Sequence, residues 1–257
     1  MSRSAVVRRS AVLAAPAAIT LAAMIATPLA GRGGTVRRRL ASVVVCGLGV
    51  TTAAASTRRW GAIRTTAAAA ALIGTTGAVE RTGSSTGRPF GRYCYSGALR
   101  PTVAGVPAIV PIAWWAMALP AREVAVAVLC GRRSSRAARL GLGAVALTAW
   151  DLFLDPQMVG EGYWRWDRRG SYAGIPLSNY AGWLVTSAAV MAVLDVTLPP
   201  DAPDPVLVGE YATMGALETI GFAAFFRQRL VAVVGGAGML PVAAVAMAST
   251  WRQRSAR

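Results

Sequence analysis

Two aspartates four residues apart raise the first chemical question. Asp151 and Asp155 stand in AWDLFLDPQ, at the end of an apolar run. That spacing places them on one helical face, about a turn apart. Pro156 disfavours helical geometry at Asp155, which predicts that the helix ends there. An ionised carboxylate near hydrocarbon is costly and two neighbours are worse, so one of the pair is expected to hold its proton at neutral pH. The result is a proton donor beside a carboxylate acceptor, the pairing that acid–base catalysis needs. The same spacing also fits a helix end in the wet interface, neutralised by an arginine such as Arg165.

Two more carboxylates stand out. Glu80 ends a span and opens ERTGSSTGRPFGRYCYSGALRPTVAGVP; it reads as a site carboxylate or as an interfacial group paired with Arg81 or Arg88. Glu218, in ALETIGF, is the acid placed deepest by sequence and must face other helices or water. It reads equally as a hydrogen-bonded packing residue and as a functional one.

Aromatic residues collect near these acids. The loop after Glu80 carries Phe90, Tyr93 and Tyr95 among Gly83, Gly87, Gly91 and Gly97. The stretch YWRWDRRGSYAGIPLSNYAGW, Tyr163 to Trp183, includes Trp164, Trp166, Trp183 and the sole asparagine, Asn179. Interfacial Tyr and Trp commonly form a belt at the lipid head groups. Glycine-rich loops also fold back and let a ligand approach the backbone. Aromatic faces stabilise a cation, and a carboxylic acid creates one by protonating an alkene. Acids at helix ends, aromatic loops and an apolar bundle together suit a long hydrophobic substrate and point to isoprenoid chemistry.

Missing residue types narrow the chemistry. The chain has no His and no Lys, and all 27 basic residues are Arg. A Ser-His-Asp triad, a His-ligated metal site, a Schiff base and a Walker lysine are therefore excluded. Proton transfer falls to Asp, Glu, Tyr, Cys or water. Cys46, Cys94 and Cys130 are few, odd in number and far apart, so they read as small apolar residues rather than as a disulfide framework or metal cluster. No metal and no cofactor is expected. GGAG at 235–238 lies in an apolar run, not between a strand and a helix, and is no dinucleotide fingerprint.

The elements that must position these residues follow from composition. Of 257 residues, 54% are hydrophobic and 15% charged, against about a quarter charged in soluble domains. The apolar residues form long blocks, which sets the class: all-α, a polytopic integral membrane helical bundle. Candidate spans are 11–30, 40–56, 62–79, 103–129, 137–154, 177–198, 211–226 and 229–250. The second, third and seventh are short, so seven to eight transmembrane helices are expected. The fourth, interrupted by Pro120, is either one kinked helix or a span followed by an interfacial turn. The opening MSRSAVVRRS and the Ala-rich run after it resemble a signal or anchor segment and are read as a retained first helix. The net charge of +16 comes from Arg clusters between apolar blocks, such as Arg37–Arg39, Arg58–Arg59 and Arg132, Arg133, Arg136 and Arg139. Contact with anionic lipid explains them better than nucleic acid does. Arg counts on alternate loops are nearly equal, so the positive-inside rule chooses no orientation. Three regions follow: 1–75, N-terminal helices low in information; 76–200, carrying the acids and aromatic motifs; 201–257, C-terminal helices. No internal repeat argues for a transporter built of two halves.

Three blocks carry a resemblance: Glu80 with TGRPFGRYCYSGALRPTVAGVP, WDLFLDP at 150–156, and GYWRW with GSYAGIPLSNYAGW. In order and spacing they resemble the CruF-type carotenoid biosynthesis family, the bisanhydrobacterioruberin hydratase-like membrane hydratases. That family's pattern runs Glu, G-x-P-F-G-x-Y-x-Y, G-V-P, a span, D-x-x-x-D-P, then G-x-W-x-W, a Gly-x-Pro turn and N-[FY]-x-G-W. The match covers about 80–198. RWDRRGS is more basic than the family's loop, and Ala173 stands where the family prefers an aromatic residue; both bear on the substrate rather than on the family. The resemblance implies a cofactor-independent hydratase of the cell membrane. It would add water to the terminal double bond of an acyclic carotenoid and leave a tertiary alcohol. Asp151 or Asp155 would protonate the alkene, the other would take the proton of the attacking water, and Glu80 is a third candidate acid. Phe90, Tyr93, Tyr95, Trp164, Trp166 and Trp183 would line the end-group pocket, and Asn179 would orient water or the product hydroxyl. The expected partners are the acyclic carotenoid, the lipid bilayer and other membrane enzymes of the pathway, with no nucleic acid. The rival readings are a non-catalytic carotenoid-binding or scaffold subunit and a carotenoid cyclase.

Overall fold

The computed structural model describes residues 16–130 and 135–255. The start of the first candidate span, the opening basic segment, and Arg132 and Arg133 of the third Arg cluster lie outside the described residues.

The apolar blocks fold as helices: α1 (Pro16–Leu29), α2 (Thr35–Trp60), α3 (Ala62–Thr86), α4 (Ile109–Leu129), α5 (Arg136–Gly160), α6 (Leu177–Thr197), α7 (Pro205–Ile220) and α8 (Arg229–Ser255). Ser135 caps α5 by accepting from the Ala138 N–H at 3.1 Å, and Asp204 caps α7 by accepting from Val206 at 2.8 Å. Five helices, α2, α4, α5, α6 and α8, are long and apolar enough to cross a membrane. Large apolar side chains stay exposed on outer faces, among them Val50, Val185, Val196, Leu230 and Val233. That pattern fits a lipid solvent, and the protein is a helical membrane protein.

The ends of the helices show how they alternate. Arg136 near the start of α5 pairs with Asp195 near the end of α6 at 2.7 Å. Asp151, late in α5, meets Asn179, early in α6. The two helices therefore run antiparallel. Likewise Arg37 at the start of α2 pairs with Glu161, just past α5, at 3.3 Å, while Arg59 at its other end pairs with Glu123 of α4 at 3.1 Å. Helix α4 is the buried centre, with Trp114, Met117, Leu119 and Val124 all inside.

One expectation about proline is corrected, and at Pro120 the single-helix alternative holds. α5 does not stop at Asp155 but runs through Pro156 to Gly160. A proline removes the N–H that would satisfy the carbonyl four residues earlier, here Leu152. The Tyr172 hydroxyl donates to that carbonyl at 3.0 Å and closes the gap. α4 passes Pro120 as one helix, and the carbonyl freed there, Ala116, accepts from Thr52 at 3.0 Å. The fourth span also begins later than expected. Thr102–Val103 (β2) and Val106–Pro107 (β3) form a small hairpin before α4 starts at Ile109.

The fold is not purely helical. The two aromatic loops pair with each other: β1 (Tyr93–Tyr95) lies antiparallel to β4 (Trp164–Trp166), with Tyr93 opposite Trp166 and Tyr95 opposite Trp164. Strand alternation turns these four rings to one face and Cys94 and Arg165 to the other. Arg165 is exposed, with its Nε on Cys94 Sγ at 3.2 Å.

Candidate active site

Beneath the ring-bearing face of this sheet lies a cavity of about 140 Å³ with mostly apolar walls. Each expected pocket residue lines it: Phe90, Tyr93 and Tyr95 from the first loop, Trp164 and Trp166 from the second, and Asn179 and Trp183 from α6. The rings pack against one another. Tyr93 meets Tyr95 edge-on at 5.5 Å, and Tyr95 meets Trp164 edge-on at 5.9 Å. Phe90 is wedged between helices where only glycine leaves room. A Cβ on Gly83 of α3 or Gly182 of α6 would come within 2.8 Å of its ring.

Glu80 enters from α3 and is held by three donors. Tyr93 and Tyr95 donate to Oε2 at 2.6 and 2.8 Å, and the Trp114 indole donates to Oε1 at 3.1 Å. The expected alternative, an interfacial pairing with Arg81 or Arg88, is corrected: Glu80 is buried and its partners are these rings. Burial, and then the Glu80 carboxylate, push both tyrosine hydroxyls well above their ordinary value of 10.0. They stay neutral and remain donors.

Asp151 and Asp155 share a face of α5, and both are fully inside the protein. The Asn179 amide donates to both, to Asp151 Oδ2 at 2.7 Å and to Asp155 Oδ2 by a shorter contact. Trp164 Nε1 donates to Asp155 Oδ1 at 2.6 Å. The reading of the pair as a wet helix end neutralised by Arg165 is therefore corrected. The two differ in position: Asp155 lines the cavity, whereas Asp151 is not on its wall, and Asp151 Oδ1 has no hydrogen-bond partner among the described residues.

Two tryptophans of the site were not weighed as site residues in the sequence. Trp114 bonds Glu80 and stacks on Trp183, with ring centroids 3.9 Å apart, and Trp150 meets Trp183 edge-on at 6.1 Å. Glu218 of α7 also reaches the cavity wall. It had been read from its depth in an apolar segment; Trp150 opens WDLFLDP, and Trp114 had no signal beyond being a tryptophan in a span.

A second polar cluster lies at the other end of α4, away from the cavity. Arg122 pairs with Glu123 at 2.7 Å and donates to the Leu194 carbonyl at 3.1 Å and to that of Leu198. Glu123 also takes Arg59 at 3.1 Å and the Asp204 N–H at 2.8 Å. It ties the ends of α2, α4, α6 and α7 and satisfies its own charges, which is what a buried ion pair needs to be tolerated. Among the described residues no cluster of side chains is arranged to hold a metal ion.

Fold and site define a helical membrane protein with an acid-bearing, aromatic-walled cavity. A sequence model of the family described as "Carotenoid biosynthesis protein" matches residues 40–249. The chain belongs to that family. It is also 32% identical over 118 residues to a bisanhydrobacterioruberin hydratase of Haloarcula japonica, a stretch covering 46% of this chain and 40% of the relative. No solved structure matches.

Proposed function

We propose that the protein is a carotenoid hydratase: it adds water across the terminal double bond of an acyclic carotenoid. One observation carries this reading. Asn179 ties two buried aspartates together at the edge of a cavity walled by aromatic rings. The named relative is a hydratase, which supports the same reaction class.

The chemistry balances without a redox step. A proton adds to the less substituted alkene carbon and leaves a tertiary carbocation on its neighbour. The oxygen of one water bonds to that cation, and the oxonium loses a proton to a base. The charge of Glu80, held by three donors, and the ring faces of Trp183, Tyr93 and Trp166 stabilise the cation. Asp155 is the member of the aspartate pair that reaches the cavity, so it handles the proton of the attacking water. Asp151, reached through Asn179, sets the charge of the pair.

The membrane setting fits the substrate. An apolar polyene dissolved in the bilayer can reach a cavity that α1, α2, α4 and α7 also line. The alternating directions of α2, α4, α5 and α6 support a chain that crosses the bilayer several times.

Expression in cells that accumulate lycopene tests the proposal. A mass gain of one water per reacted end supports it. An isomer of unchanged mass would make the protein a cyclase, which forms the same cation but excludes water. Unchanged pigment that copurifies with the protein would make it a carotenoid-binding subunit.

A further inference from the structure

Three carboxyl groups line the cavity: Glu80 from α3, Asp155 from α5 and Glu218 from α7. Their surroundings differ. Both oxygens of Glu80 accept hydrogen bonds, from Tyr93, Tyr95 and Trp114. Both oxygens of Asp155 do as well, from Trp164 and Asn179. Donors aimed at every oxygen favour the ionised carboxylate, which suits a group that accepts a proton on a remaining lone pair better than one that holds a proton to donate. Glu218 has no hydrogen bond and no ion pair among the described residues, which corrects the reading of it as a hydrogen-bonded packing residue. It is partly accessible, and it reaches the cavity from the wall formed by Met214, Leu217 and Gly221. Directly after its turn the helix widens into a π-helical segment, Gly221–Phe225, a local form that often accompanies functional positions.

Resting on the hydratase reading, we propose that Glu218 is the proton donor to the alkene. The carboxyl O–H of Glu218 breaks as a C–H bond forms at the less substituted alkene carbon. Water then bonds to the tertiary cation, and Asp155 takes the oxonium proton. The cycle closes when water entering the emptied cavity carries the proton from Asp155 back to Glu218. Acid and base thus come from different helices on different walls. The aspartate pair, conspicuous in the sequence, serves the water step and not the first one.

Deuterium separates the two steps. Membranes containing the full chain are incubated with lycopene in deuterated buffer. The wild type is expected to form the tertiary alcohol with one carbon-bound deuterium per hydrated end. Glu218→Gln is expected to lose hydration by at least about 100-fold and to leave the recovered lycopene unlabelled. Asp155→Asn is expected to lose hydration too, yet to return lycopene carrying deuterium, because the cation still forms and collapses back. Glu218→Asp keeps a carboxyl and is expected to retain a reduced but measurable incorporation, which guards against a variant that merely misfolds. Hydration by Glu218→Gln close to the wild type's, or deuterated lycopene recovered from it, overturns the assignment. A wild type that never hydrates would instead overturn the hydratase reading itself.

Discussion

The indole N–H of Trp164 donates to Asp155 Oδ1 at 2.6 Å. A ring on the edge of a two-stranded sheet thus holds a carboxylate on a helix. Replacing it with phenylalanine keeps most of the ring but leaves a buried oxygen unsatisfied. Such a loss costs roughly 1–3 kcal/mol, so Trp164→Phe is expected to lower turnover by about tenfold while pigment still binds. Turnover unchanged from the wild type would show that Trp164 is a packing residue only.

Asp155 and Asp151 should separate by mutation. Asp155→Asn is expected to lower hydration by at least about 100-fold in protein that still folds and elutes as a single species. Asp151 is off the cavity wall, so Asp151→Asn is expected to have a smaller effect. Rates of product formation from purified variants decide this, and full turnover in both would remove the pair from the reaction.

Pro156 and Tyr172 form a compensating pair. Tyr172→Phe strips the hydroxyl from a carbonyl that proline has already orphaned, so a destabilisation of about 1–3 kcal/mol is expected. Pro156→Ala restores the helical N–H, and in that background the same substitution should be nearly neutral. Thermal unfolding of the two single variants and the double variant measures the coupling. Additive effects would show that the hydroxyl does not replace the lost helical bond.

How much of this was legible beforehand follows from the range of each signal. Apolar blocks report burial or lipid contact locally, so the helices were readable, although some ends lay six or seven residues from those expected. The four-residue spacing of Asp151 and Asp155 is also local, and it placed them on one face. The extension of α5 past Pro156 was not readable, because the hydroxyl that permits it comes from Tyr172 in a different segment. For the same reason the loops around Tyr93 and Trp164 gave no sign of pairing as strands. Arg122 and Glu123 escaped notice inside an apolar helix, where only their partners on α2, α6 and α7 make them tolerable. Glu218 was visible as a deep acid, but its lack of a partner is a property of the fold.

The tyrosines around Glu80 predict a pH effect. Burial and the Glu80 charge raise both hydroxyls above 10.0 in the folded protein. The unfolded chain therefore releases these protons first as pH rises. Stability should be flat below pH 10 on their account and fall above it, since there the folded state binds more protons. In Tyr95→Phe the fall should be shallower. Unfolding temperatures across alkaline pH test this, with the other tyrosines common to both proteins; identical slopes would contradict it.

The central claim is that the oxygen of the product comes from water placed on a carbocation. The direct measurement supplies wild-type membranes and lycopene with heavy-oxygen water under ordinary air and reads the label in the product by mass spectrometry. The account predicts one heavy oxygen per hydrated end. A product whose oxygen comes from air, or one that carries no oxygen at all, would contradict it.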